Sequence, residues 1–291
     1  MQRERTLRVK APAMVFDLFG DFATEPHGRG EIPMAAIVRL AAELRVQPAA
    51  TRSAVHRLAR QGWLSTGRRG RDSLIRLTPN GRSLNAQGRR RIFSTVTRSW
   101  DGRWTIIEFS VPEGRRDVRD SLRARLEFLG FGSPSSGMYV SPLDYQDEVV
   151  SLMHELRASA YLRVFRAELS WPSSGRAFVA RAWQGLAGVD RGYRQFIRRF
   201  RSRLGVDRRA IAAASLEPAT AFRTRFELVY EFRHRLFGDP GLPPELAPAS
   251  WAGLAARDLF MEYHDLVTPL ARQFFRATVR NGTRPPRGAK G

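Results

Sequence analysis

The stretch PAATRSAVHRLARQGWLSTGRRGRDSLIRLTPNG, Pro48–Gly81, carries seven arginines and one histidine against a single acid, Asp72. Like charges held this close repel one another unless a polyanion faces them or solvent screens them. The spacing predicts a helix from about Ala49 to Gln61, ended by Gly62. At 100° per residue, Arg52, Ser53, His56, Arg57 and Arg60 fall within an arc of about 140°, while Ala54, Val55, Leu58 and Ala59 fall opposite. Beyond Gly62, GWLSTGRRGRDSLIRLT reads as two short strands around a Gly-rich tip, with Arg68, Arg69, Arg71 and Arg76 on the hairpin and Gly67 and Gly70 permitting close backbone approach to phosphates.

Two helices precede this one. AMVFDLFGDFA places Met14, Val15, Leu18, Phe19 and Phe22 at helical spacing, EPHGRGEI reads as a loop, and Pro33 opens a second helix over MAAIVRLAAEL. Helix, helix, turn, helix, hairpin is the order of a winged helix-turn-helix. Its third helix presents arginine, serine and histidine along one exposed face, the equipment of a major-groove reader. A solvated polar face in an arginine-rich protein is the bland alternative; the basic hairpin beside it weighs toward duplex DNA.

The whole chain fits a polyanion partner. It has 291 residues, a net charge of +21 and a pI near 11.5. All but two of its 49 basic residues are arginine, a sign of codon bias, which explains arginine in place of lysine and not the excess over acids. Without cysteine there is no disulfide, zinc finger or thiol chemistry. No signal-peptide core and no run of about 20 apolar residues appear, so a soluble cytoplasmic protein with no membrane partner is expected. Arg3, Arg5, Arg8 and Lys10 read as a basic arm.

Thr78 and Pro79 cap a connecting helix that reaches about Thr97. The next segment alternates WTIIEFSV (strand), RRDVRDSLRARLEFLGF (helix), GMYVSP (strand), DEVVSLMHELR (helix) and LRVFRAEL (strand). With one further strand near Ser133–Pro142 this is a ferredoxin-like α/β sandwich. SWPSSGR links it to helices around Tyr193–Leu204, Phe222–Leu236 and Trp251–Thr278. The expected class is α+β multidomain: a winged-helix domain with its connecting helix over 1–97, a ferredoxin-like domain over 98–172, an all-helical domain over 173–278 and a disordered tail over 279–291.

VFDLFGDF, the Pro48–Gly81 stretch from its threonine onward, WDGRWTIIEFSVPE, RARLEFLGFG and GDPGLPPELAPASWAG, in this order and spacing, resemble the PaaX-like transcriptional regulators from about Ala11 to Phe275. The resemblance implies winged-helix, ferredoxin-like and helical domains, and operator binding relieved by an aryl-acyl-CoA such as phenylacetyl-CoA. Where the family often has His-Glu-Tyr-Arg, this chain reads Tyr230-Glu231-Phe232-Arg233.

For an acyl-CoA the C-terminal helices offer Trp183, Tyr193, Phe226, Tyr230 and Trp251, interleaved with Arg223, Arg225 and Arg233. Tyr230, Arg233 and Trp251 are the effector candidates, against the plain reading of bundle core and surface charge. Two further classes stay open, an RNA-binding or architectural protein and a nuclease. The central segment is also similar in fold to CRISPR-associated nucleases with an Asp ending the first strand, but Ser110 occupies that position here. The five histidines lack metal-binding spacing and no phosphate-cradling glycine motif occurs, so neither a catalytic residue, a metal nor a cofactor is assigned. Two-fold operators favour a homodimer.

Overall fold

The structure, a computed structural model, describes residues 9–23, 30–70, 72–93, 100–170, 175–236 and 238–282. Outside them lie Arg3, Arg5 and Arg8 of the expected arm, Arg71 of the hairpin tip, the far end of the connecting helix, most of the SWPSSGR linker and the tail from 283. The chain is α+β and separates into two compact units. One takes the described residues up to 93 with 199–232 and 258–282; the other takes 100–198 with 233–257.

In the first unit, α1 (Ala11–Leu18) runs into a π-helical turn at Phe19–Ala23 and buries Met14, Val15, Leu18, Phe19 and Phe22. Helix α2 (Met34–Glu43) joins α3 (Pro48–Arg60) through a tight turn in which Arg45 takes φ 58° and the Val46 amide donates to the Ala41 carbonyl at 2.9 Å. A three-stranded antiparallel sheet follows in the order β1-β3-β2, built from β1 (Glu31–Pro33), β2 (Leu64–Arg69) and β3 (Asp72–Leu77). Strand β1 corrects the sequence reading: Glu31 and Ile32, expected in a loop, pair with Arg76 and Ile75. Its extended form is set by β3 and not by its own residues. Ile32, Ile37, Leu40, Val55, Leu64 and Ile75 are buried.

Thr78 fastens the hairpin to α4 (Pro79–Phe93). The Thr78 hydroxyl donates to the Gly62 carbonyl at 2.6 Å and accepts from the Gly81 amide at 3.0 Å. A Cβ on Gly81 would lie 2.2 Å from the Trp63 carbonyl oxygen, so only glycine lets the first turn of α4 approach the base of β2 this closely.

Parts of α8 (Leu186–Ala212), α9 (Pro218–Leu236) and α10 (Gly253–Gly282) complete this unit; α10 runs four residues past the expected Thr278. Phe22 packs on Phe222 and Phe275 with centroids 5.1 Å apart in each pair. Arg225, 2 % exposed, lies with its guanidinium 4.2 Å over the Phe22 ring, donates to the Asp21 carbonyl at 2.9 Å and reaches His264 Nε2 at 3.2 Å. An arginine can only donate, so His264 Nε2 accepts and the ring proton sits on Nδ1, 3.1 Å from Asp265 Oδ1.

The second unit runs β4 (Arg103–Phe109), α5 (Arg116–Leu129), β5 (Gly132–Ser135), β6 (Met138–Ser141), α6 (Gln146–Glu155) and β7 (Leu162–Glu168). Its strands pair antiparallel in the order β5-β6-β4-β7. Helices α5 and α6 cover one face through Val118, Leu122, Leu126, Val149 and Leu152. On the other face Trp104 packs among Trp100, Phe178 and Trp183, the last two from or just after α7 (Gly175–Ala182).

Two outcomes follow for the first unit. Gly81→Ala should lower its stability by roughly 1–3 kcal/mol, read as a shifted urea midpoint, because the backbone carbonyl it meets cannot rotate away. Burial and then the neighbouring Arg225 push the His264 pKa down to about 4 from 6.5. The unfolded chain therefore takes up a proton near pH 6.5 that the folded state refuses until about pH 4, and stability is lost as pH falls through that window. Thermal unfolding should show a loss on the order of 3 kcal/mol between pH 7 and 4 attributable to this group. His264→Gln should flatten that part of the profile; an unchanged profile would exclude His264 as its source.

Candidate nucleic-acid interface

Helix α3 owes its two faces to a short apolar repeat. Thr51, Ala54, Val55 and Leu58 are buried, and Arg52, Ser53, His56, Arg57 and Arg60 are all exposed. Thr51 was not anticipated on the inner face. Its hydroxyl donates back to the Gln47 carbonyl at 3.1 Å, which lets a polar side chain sit there without loss. Ala59, expected inward, is half-buried, since it lies only about 20° around the helix from Arg52. Pro48 begins the helix where its missing N–H costs nothing.

Among the described residues, Arg52, Arg57, Arg60 and Arg68 have neither an acidic nor a hydrogen-bonding partner. Four guanidiniums thus stand in water with their five donors each unspent. Arg76 differs. It lies across the sheet from Glu31 and Ser65, with an ion pair of 3.6 Å to the first and a hydrogen bond of 3.1 Å to the second. Arg69 is placed by its backbone opposite Asp72 in the last pair of the hairpin, and Gly70 turns the tip at φ 62°. Arg71 falls outside the described residues.

The effector candidates divide between the units. Tyr230, half-buried, belongs to the first and lies 6.2 Å from the Phe226 ring at 19°. Arg233 and Trp251 belong to the second, where Trp251 meets buried Tyr193 edge-on at 5.8 Å. Several neighbours are occupied otherwise. The Tyr193 hydroxyl donates to Asp239, Trp183 Nε1 donates to the Gly130 carbonyl at 3.1 Å, Arg223 pairs with Glu43 at 2.6 Å, and Arg225 is the buried guanidinium already described. Glu231 accepts from Arg199 at 3.2 Å and Phe232 stacks on Phe260 at 4.2 Å.

The carboxylates flanking Ser110 serve the fold. Asp101 accepts from the Arg103 amide at 2.9 Å and from Arg166 at 2.7 Å, which hold its carboxyl below the ordinary range, and Glu113 pairs with Arg119 at 2.9 Å. Among the described residues no group of three or more His, Asp or Glu is placed to hold a metal ion, and no helix is long and apolar enough to cross a membrane.

Three family profiles cover the chain in sequence: "PaaX-like protein" over residues 10–81, "PaaX protein central Cas2-like domain" over 97–179, and "PaaX-like protein C-terminal domain" over 183–277. The chain is 30% identical over 270 residues to the transcriptional repressor PaaX of Escherichia coli (strain K12), covering 91% of this chain and 83% of that protein. Its fold is shared with the uncharacterized protein Rv0674 from Mycobacterium tuberculosis, with a TM-score of 0.54 at 22% identity over 90% of this chain and 96% of that one. Three profiles of one family in sequence and a 30% identical relative along nearly the whole chain place the protein: it belongs to the PaaX-like family of transcriptional regulators.

Proposed function

We propose that this chain is a repressor that binds duplex operator DNA through α3. The observation that carries the reading is the outer face of that helix, where Arg52, Ser53, His56, Arg57 and Arg60 are exposed and the three arginines have no partner among the described residues. We read α1–α3 with the β1-β3-β2 sheet as a winged helix-turn-helix, α3 being the recognition helix and the β2–β3 hairpin the wing. The β-α-β-β-α-β order of the second unit, with β5-β6-β4-β7 as its strand order, supports a ferredoxin-like reading. Arginine on α3 reads guanine by two parallel hydrogen bonds, and the wing holds phosphates. Sequence-specific repression in the cytoplasm is favoured over indiscriminate nucleic-acid binding because base-reading side chains line one helix face instead of being scattered.

The reading separates positions that read from positions that hold. Arg52→Ala or Arg57→Ala should cost roughly 1–3 kcal/mol on the cognate duplex and much less on random duplex. Arg68→Ala should weaken both alike. Total binding should fall with salt at a log–log slope of about −4 to −7 if 5 to 8 phosphates are neutralised per subunit. Gel shifts against the chain's own upstream region, random duplex and RNA measure all three; uniform losses for the α3 variants would remove the helix from base reading.

We further propose a homodimer whose DNA affinity an acyl-CoA lowers, the control of an aromatic or acyl-CoA catabolic operon being the use. Support comes from the family's namesake and, for the site, from Tyr230, Arg233 and Trp251. Such a ligand must bind the DNA-incompetent arrangement more tightly, so DNA weakens ligand binding by the same factor. Titrating phenylacetyl-CoA and related thioesters into the protein–operator complex should release DNA where free CoA does not. Light scattering of that complex should give two chains per operator. A thioester that binds without changing DNA affinity would exclude it as the effector.

A further inference from the structure

Helix α8 holds eight arginines against two aspartates, and the α3 reading does not use them. Composition is a poor explanation, because residues 100–174 of the same chain hold nine basic and eleven acidic residues. The arginines sort by face. Arg199 and Arg203 turn to Glu227 and Glu231 and serve packing. At 100° per residue, Arg191, Arg194, Arg198, Arg201, Arg208 and Arg209 fall within an arc of about 100° and extend over about 27 Å of helix axis. All six are exposed. Arg194 is paired with Asp190 at 2.7 Å and Arg208 with Glu262, whereas Arg191, Arg198, Arg201 and Arg209 have no partner among the described residues. On helix α4, Arg82 donates to the Leu77 carbonyl at 2.9 Å and Arg89 to the Gly20 carbonyl at 2.7 Å, and Arg90 alone is exposed without a partner among the described residues, so no line of free guanidiniums forms there.

We infer that this ridge on α8 is a second contact surface for the sugar–phosphate backbone of duplex DNA, independent of base sequence; the inference rests on the DNA-binding reading above. The shape of the ridge chooses the partner. A convex line of about 27 Å matches an extended polyanion, about eight base pairs at 3.4 Å each, better than a compact ligand whose phosphates sit together. A bilayer is a poor match, because the apolar face of α8, Tyr193, Phe196, Phe200 and Leu204, is buried in the protein. Guanidiniums with free donors along one face, here Arg191, Arg198, Arg201 and Arg209, neutralise phosphates without reading bases.

The test uses the full chain with Arg198→Ala/Arg201→Ala/Arg209→Ala, positions whose side chains have no hydrogen-bond or ion-pair partner among the described residues. Two duplexes carry the site the protein selects from a random library, one limited to the core and one extended by about 10 base pairs on each side. Wild type should bind the longer duplex more tightly, with a log–log salt slope steeper by roughly 2 to 3 than that of the triple variant, about 0.9 for each phosphate the variant leaves unneutralised. The variant should lose affinity equally for cognate and random extended duplexes. Arg198→Lys/Arg201→Lys/Arg209→Lys should keep the wild-type slope, which a packing role would not allow. A folded Ala variant with wild-type slope and affinity, while Arg57→Ala still fails on the cognate site, would overturn the ridge and leave the α3 reading intact. Wild type that binds no duplex would end both. Loss confined to an RNA hairpin or to anionic phosphatidylserine vesicles would overturn duplex DNA as the partner.

Discussion

A guanidinium taken out of water is the constraint around which the first unit is arranged. Arg225 must find acceptors for its donors, and it finds the Asp21 carbonyl, His264 and the face of Phe22. That carbonyl belongs to the π-helical turn after α1, where the widened backbone departs from the ordinary helical bonding pattern. One side chain of α9 thereby fixes how α1 ends and where α10 sits. Helix α1 in turn packs on α3. The orientation of α3 is thus tied to a buried arginine far away in sequence, and any protonation of His264 would place a second positive charge within 3.2 Å of the first.

What could be read from the sequence was whatever a single element decides for itself. The two faces of α3 follow from residues at 3.6 spacing and needed no partner. Spacing likewise puts Val118, Leu122, Leu126 and Leu129 on one face of α5; the first three are buried and Leu129, the last residue of the helix, is half-buried. Elements decided by a neighbour were harder. Strand β1 is three residues ending in proline, and β5 reads Gly-Ser-Pro-Ser, so neither shows strand propensity. Each is extended because a neighbouring strand, β3 for β1 and β6 for β5, offers it a ladder. The sequence reading placed a strand near β5 from topology alone, since a β-α-β-β-α-β unit lacks a strand without it.

Charge was the least legible property. Arg76 and Arg68 look alike in the sequence, yet one faces Glu31 across the sheet and the other faces solvent. Arg223 meets Glu43 from 180 positions away. The aromatic and arginine pattern of the C-terminal helices suits a ligand pocket and a helical core equally, because both need large apolar rings at helical spacing. Tyr193 and Phe226 are buried, and Arg223 and Arg225 are bonded within the protein. Whether a ring lines a cavity or fills a core depends on long-range packing that no local period encodes.

The distribution of acids decides what the arginines are for. Codon usage can turn lysines into arginines throughout a chain, but it does not remove carboxylates from chosen elements. The sheet-forming stretch 100–174 keeps its carboxylates and pairs them, as in Arg119 with Glu113, Arg125 with Glu155 and Arg163 with Glu108. Exposed pairs of this kind add little stability, so their main effect is to hold that surface near neutrality. On α3 and along α8 the carboxylates are few, and the guanidiniums they would have neutralised stand free. A chain that pairs the same side chain on one element and leaves it bare on another concentrates its uncompensated positive charge on α3 and along α8.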